Sequence, residues 1–149
     1  MAEHNSRNTL QVSILTPDGQ VWETREATVV VAPAVLGEVA VLPNHVPLFT
    51  RLGAGEVTVT TKDQRQSFAV FGGFMDVNPE GRVTILADFA KRSVEIDLNA
   101  AQKAKEEAEK LMQQKQEYSE DEFARIETTL KQALFSIKIA EKLRQKRSH

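Results

Sequence analysis

The run NPEGRVTILADFAKRSVEIDLNAAQKAKEEAEK, residues 78–110, holds the last proline and the last glycine of the chain, then a short β-prone alternation, then a segment built for helix. From Arg82 to His149 the remaining 68 residues contain neither Gly nor Pro. Glycine supplies positive-φ turns and proline interrupts ladders and helices, so the first part is cut into short pieces and the second can run as long helices. The expected fold class is α+β in two parts: an N-terminal antiparallel β-sandwich over residues 1–90, then a C-terminal antiparallel two-helix hairpin over residues 91–149.

Upstream of this run, β-prone segments alternate with turn signals at sandwich spacing. They are Leu10 to Thr16, Val21 to Trp22 after the Pro17-Asp18-Gly19 turn, Ala27 to Ala32, Gly37 to Leu42, Val57 to Thr61, Ser67 to Phe71 and Arg82 to Leu86. Two-residue periodicity places Val57 and Val59 in a core and Thr58 and Thr60 toward water, and it places Val83 and Ile85 inward. Gly72-Gly73, inside a β-prone run, predicts a bulge or a close backbone approach. Phe68, Phe71 and Phe74 are expected in the core.

Downstream, Asp97 is the candidate N-cap of the first helix, and Ser119-Glu120-Asp121-Glu122 has the form of a capping box for the second. Leu98, Ala101, Ala104, Ala108, Leu111 and Met112 form a narrow, alanine-rich stripe on the first helix. Phe123, Ile126, Leu130, Ala133, Leu134 and Ile137 form the facing stripe on the second, while Phe135, Ile139 and Leu143 fall on its nearly opposite side. A helix apolar on two sides is expected to be buried on two sides.

Composition removes several function classes. The chain has no cysteine, hence no disulfide and no thiolate metal site, and its net charge of −2 gives no global pull toward nucleic acid. Its three histidines, His4, His45 and His149, are far apart, so no metal site and no cofactor is expected. No Gly-x-Ser-x-Gly elbow and no phosphate-cradling glycine loop is present, and carboxylate pairs such as Asp76 and Asp88 carry little specificity; the chain reads as non-enzymatic. No apolar run approaches the length of a membrane span, and the polar start, with no transit segment, favours a bacterial, cytoplasmic setting. Charge is uneven: residues 1–91 carry seven Lys/Arg against ten Asp/Glu, whereas Lys131 to His149 carry six Lys/Arg against Glu141 alone. That basic tail either complements the helix macrodipole or binds an acidic partner.

The most unusual local segment is GEVAVLPNHVPL, residues 37–48, in which Pro43 and Pro47 bracket Asn44, His45 and Val46. The prolines stiffen the loop. His45 either hydrogen-bonds within a tight turn or belongs to a preformed contact surface. The residues themselves leave open a contact surface for a partner and, as an alternative of another class, a free-standing ligand-binding β-sandwich with a helical lid.

Extended to GEVAVLPNHVPLFTRLGAGEV, this segment resembles the motif run of the epsilon subunit of F-type ATP synthases. FAVFGGFMDV with VTILAD is similar to the last strands of that family's sandwich, and IDLNAAQKAKEEAEK with LKQALFSIKIAEK to its two helices. The resemblance implies a non-catalytic subunit of the proton-translocating central stalk, peripheral on the cytoplasmic face of the bacterial cell membrane, that couples the gamma subunit to the c ring. It implies partner contacts at Glu38, Pro43, His45, Pro47 and Leu48. It also implies a hairpin that extends toward the alpha/beta head and inhibits hydrolysis through Lys138, Lys142, Arg144 and Lys146. No nucleic acid enters this picture, and membrane association is indirect, through the complex.

Some relatives bind ATP on the hairpin through an Ile/Leu-Asp-x-x-Arg-Ala motif and helical arginines. Here Ile96 and Asp97 stand, but Ala100, Gln132 and Ser136 occupy the arginine positions. Three missing cations remove most charge-assisted contacts to a triphosphate. Titration calorimetry of the isolated chain with ATP is therefore expected to show no micromolar binding.

Overall fold

The computed structural model describes residues 8–114 and 118–147, with residues 143–147 described as backbone only. Seven strands come first: β1 Leu10–Thr16, β2 Gly19–Ala34, β3 Gly37–Val41, β4 Leu48–Arg51, β5 Ala54–Thr61, β6 Arg65–Val77 and β7 Arg82–Arg92. A 3-10 turn over Ser93–Glu95 leads to α1, Leu98–Gln113, and α2, Glu120–Arg147. The chain divides into two compact units between Arg92 and Ser93.

The sheet runs β1-β7-β6-β5-β2-β3, and β1 also pairs with the first half of β2, so the strands close on themselves. Closure removes most of the free edges that invite aggregation. All pairings are antiparallel except β1 with β7, which run parallel from Gln11↔Arg82 to Leu15↔Leu86. The enclosed core contains Val12, Ile14, Val30, Val57, Val59, Phe68, Val70, Met75, Val83 and Ile85, all fully buried, with Trp22 against Phe68 at 5.1 Å between ring centroids.

β2 joins two segments that the sequence separates. The polar Glu23-Thr24-Arg25-Glu26 stretch looked like a break, yet Glu23 and Thr24 pair with Ser13 and Val12 of β1 before Val29, Val30 and Val31 pair with β5. Backbone ladders carry the strand through residues whose side chains have no core to enter. β4 went unseen in the sequence, because four residues directly after Pro47 give too little alternation to read. Thr58, expected toward water, is 9% exposed, since β5 is a middle strand and Val31 and Ser67 flank it on both sides.

The expectation at Gly72-Gly73 holds and has a consequence for every residue after it. Both glycines have positive φ, 70° and 115°, and a Cβ on Gly73 would collide with the Leu86 carbonyl oxygen. Inward positions on β6 are Phe68 and Val70 before the pair, but Met75 and Val77 after it. The strand therefore changes face at this step, and Phe74 points outward, 43% exposed, rather than into the core as expected. Leu52 N donates to Gly73 O at 2.8 Å and Gly72 N to Gly53 O at 3.3 Å, so a third glycine lies against the kink.

In the second unit, Asp97 caps α1 as expected, its Oδ1 accepting from Asn99 N at 2.9 Å and Ala100 N at 3.2 Å. Ser119 Oγ accepts from Glu122 N at 3.2 Å and starts α2. Met112 faces Phe123 near the connection, and Ala104 and Ala108 face Ile126 and Thr129 further along, so the helices are antiparallel. Ala101 and Ala108 are buried on α1, and Ala133, Ser136 and Ile139 on α2. Ile139 lies on the second side of α2, and the 3-10 turn also packs on that helix. Leu111, Phe123 and Leu134, expected in the seam, are 40%, 42% and 45% exposed. The small residues are the most deeply buried of the seam, Leu98, Met112, Ile126, Leu130 and Ile137 are half-buried, and Leu111, Phe123 and Leu134 lie at its margins.

Replacing Gly73 by Ala adds both a positive-φ penalty and a backbone collision, so a loss of at least about 2 kcal/mol is expected in urea denaturation.

Candidate docking surface

The loop after β3 is built by its own sequence. Pro43 fixes φ at the second position of a four-residue turn, Asn44 takes φ 67° at the third, and His45 N donates to Leu42 O at 3.1 Å. This is the chemistry of a type II turn, and Asn is among the few non-glycine residues that tolerate the left-handed position. His45 Nδ1 lies 2.7 Å from Val46 O. A carbonyl only accepts, so Nδ1 is the donor in this contact. The tight-turn reading of His45 holds: it is hydrogen-bonded within the turn and half-exposed.

The turn gathers Pro43 and His45, and Pro47 and Leu48 follow directly, with Leu48 half-buried opposite Val77. Glu38 stands apart on β3, exposed and paired with Pro33. Four residues of strand separate it from Leu42, about 13 Å at the usual rise. Val46, at 71% exposure, and Leu42, at 54%, are apolar members of the loop that the motif did not point to.

A second feature was not legible before folding. Phe49 stacks on Phe74 with centroids 5.4 Å apart and planes at 16°. Phe74 is opposite Leu86 on β7, and Leu86 is opposite Leu15 on β1. Directly paired residues share a face, so these four make an apolar strip crossing β4, β6, β7 and β1 on the outer side of the sandwich. Phe49 is 65% exposed and Leu86 49%. Exposed Arg51, paired with Phe74, and exposed Asp76, paired with Phe49, border the strip. A contiguous apolar band with a charged rim has the composition of an interaction surface.

On α2, Lys138 and Lys142 are exposed, while the side chains of Arg144 and Lys146 lie outside the described residues, as do His4 and His149. At the positions of the nucleotide motif and its helical arginines, Ala100 is exposed, Gln132 half-buried and Ser136 buried, and one oxygen of Asp97 is engaged in capping. Among the described residues, no group of three His, Cys, Asp or Glu comes together to hold a metal ion.

These features define a class, a β-sandwich with an outward apolar strip, followed in the chain by a helical hairpin. The particular family follows from comparison. The model of the ATP synthase Delta/Epsilon chain beta-sandwich domain matches residues 9–93, and that of its long alpha-helix domain matches residues 95–141. The chain belongs to the ATP synthase delta/epsilon chain family. It is 42% identical over 137 residues to the ATP synthase epsilon chain of Dehalococcoides mccartyi, covering 91% of this chain and 95% of that one. Identity to the Lacticaseibacillus casei epsilon chain is 39% over 143 residues, covering 93% and 97% of the two chains. The fold also matches a chain of the Euglena gracilis mitochondrial ATP synthase, at TM-score 0.65 and 23% identity, covering all of this chain and 87% of the other.

Substituting Asn44 by Val places a β-branched residue in the left-handed region and is expected to cost about 1–2 kcal/mol, whereas Asn44→Gly leaves stability close to unchanged. Urea denaturation of both variants checks this.

Proposed function

We propose that this chain is the epsilon subunit of a proton-translocating ATP synthase, a non-catalytic part of the central stalk that joins the gamma subunit to the c ring and restrains ATP hydrolysis through its helices. The observation that carries the docking role is the Phe49–Phe74–Leu86 strip, apolar and outward-facing on a sandwich whose core is already full. Covering one such side chain is worth about 1.5–3 kcal/mol when burial is complete, so the three serve as apolar anchors within a larger interface that must also offset the cost of association. The strip suits the gamma subunit, and the stiff loop carrying Pro43, His45, Pro47 and Leu48, with Glu38 on β3, suits the ring.

Glu38 and the loop add direction to that seat more than strength, since charged contacts at a rim guide encounter and register. No helix among the described residues is long and apolar enough to cross a membrane, which fits attachment at the cytoplasmic face of the bacterial membrane through the complex. The hairpin carries the regulatory part: exposed Lys138 and Lys142, with Arg144 and Lys146 following in sequence, form a basic end for an acidic segment of the alpha/beta head. ATP is not the ligand that sets it in this reading, because the three arginine positions hold Ala100, Gln132 and Ser136.

The double variant Phe49→Ser, Phe74→Ser is expected to fold and to lose co-purification with the ATP synthase; full retention would remove the strip from the interface. Truncation after Asp97 is expected to leave assembly intact and to raise ATP hydrolysis of the complex several-fold, and unchanged hydrolysis would count against an inhibitory hairpin.

A further inference from the structure

The outward face of β4 and β6 carries four side chains at the corners of a near-square: Phe49 and Arg51 on β4, opposite Asp76 and Phe74 on β6. Corners along a strand are about 7 Å apart and corners across the ladder about 5 Å. The two phenylalanines stack along one diagonal, with centroids 5.4 Å apart, and the two charges stand at the ends of the other. Arg51 and Asp76 are exposed, the aromatic stack lies between them, and neither makes an ion pair among the described residues. Each charge is therefore left without a counterion in its own chain.

Opposite charges on either side of an apolar row complement a second copy of the same row. A two-fold axis lying in this face along the Phe49–Phe74 diagonal sets each phenylalanine against its own copy and Arg51 of each chain over Asp76 of the other, so that two ion pairs form at once. Leu86, paired with Phe74, lies near the same line and meets its own copy as well. The other diagonal gives no such match, because it sets Arg51 against Arg51 and Asp76 against Asp76. An axis diagonal to the strands crosses the two sheets at near right angles, one of the two standard sheet packings. Packed sheets lie about 10 Å apart, a gap that an arginine reaching toward an aspartate spans.

We infer that the unassembled chain forms a two-fold dimer through this strip, with Phe49, Phe74 and Leu86 along the axis and two reciprocal Arg51–Asp76 pairs across it. The strip crosses four strands, about 15 Å, and is about 7 Å deep, far less than the roughly 800 Å² per partner of a standard interface. The dimer is accordingly weak, with a dissociation constant on the order of 100 μM. It goes beyond the stalk reading and does not depend on it. If the strip also seats the gamma subunit, the two uses exclude one another and assembly consumes the dimer.

Sedimentation equilibrium of the full chain through this concentration range tests the dimer. The unaltered chain is expected to dimerise and Phe49→Ser to stay monomeric. Arg51→Asp and Asp76→Arg each set like charges across the axis twice, so each alone is expected to weaken the dimer at least about tenfold. An equimolar mixture of these two variants is expected to recover it, since a chain with two acids at these corners then faces a chain with two bases. Recovery also shows that both variants fold. An unaltered chain that remains monomeric at about ten times that concentration would overturn the dimer. Undiminished association of Phe49→Ser or of either charge variant alone, or a mixture that stays monomeric, would overturn it equally. None of these outcomes bears on the docking reading, which co-purification with the complex decides.

Discussion

The close backbone crossing at Gly72-Gly73 is the constraint on which the sandwich depends. There β6 passes against the Leu86 carbonyl of β7 on one side and against Gly53 and Leu52 on the other, leaving no space for a side chain at Gly73. The two positive φ values turn the strand's inward set from Phe68 and Val70 to Met75 and Val77. A straight β6 would keep its even-numbered residues inward, aiming Phe74 and Asp76 at the core and Met75 and Val77 at water. A change of face within one strand lets a 13-residue β6 line the core along its length and pair with β5 and β4 in succession.

The same kink creates the outward strip. Phe74 becomes available to stack on Phe49 only because the face changes two residues earlier. β4 then serves both proposed contacts, since it begins directly after Pro47 and presents Phe49 one residue later. Its register is pinned by four pairings to β6, from Leu48↔Val77 to Arg51↔Phe74. The Pro43–Pro47 loop is thus joined to the aromatic pair through a short, fully paired strand, a connection able to carry a displacement stiffly. Stiff transmission of this kind is what a joint between two moving parts requires, and it supports the coupling role proposed here.

The fold class was legible because two strong signals agree: turn residues stop at Gly81, and helix formers follow Asp97. Caps were legible for the same local reason, since Asp97 and Ser119 act on backbone groups within three residues of themselves. What escaped depends on partners distant in sequence. The continuity of β2 through Glu23 to Glu26 is decided by β1 and β5, and the burial of Thr58 by its place between β2 and β6. The motif residues of the loop stand together in the sequence, whereas Phe49, Phe74 and Leu86 are 25 and 12 residues apart along the chain and become one feature only through register. The glycine pair was seen, but its effect on the following residues' orientation was not.

The helical unit works from a different balance. Its seam takes Ala101 and Ala108 from α1, side chains that bury little apolar surface, and leaves Leu111, Phe123 and Leu134 at its margins. Since apolar stabilisation scales with the area removed from water, an alanine seam holds two helices together less firmly than a leucine seam of the same length. The ion pairs Lys105–Glu109 at 3.9 Å and Lys131–Glu127 at 3.3 Å lie within single helices and stabilise each helix without joining the two. Capping by Asp97 and Ser119 likewise belongs to one helix at a time. The two helices are thus stabilised chiefly one at a time, by caps and ion pairs within each, and the alanines of α1 add little apolar area to the contact between them.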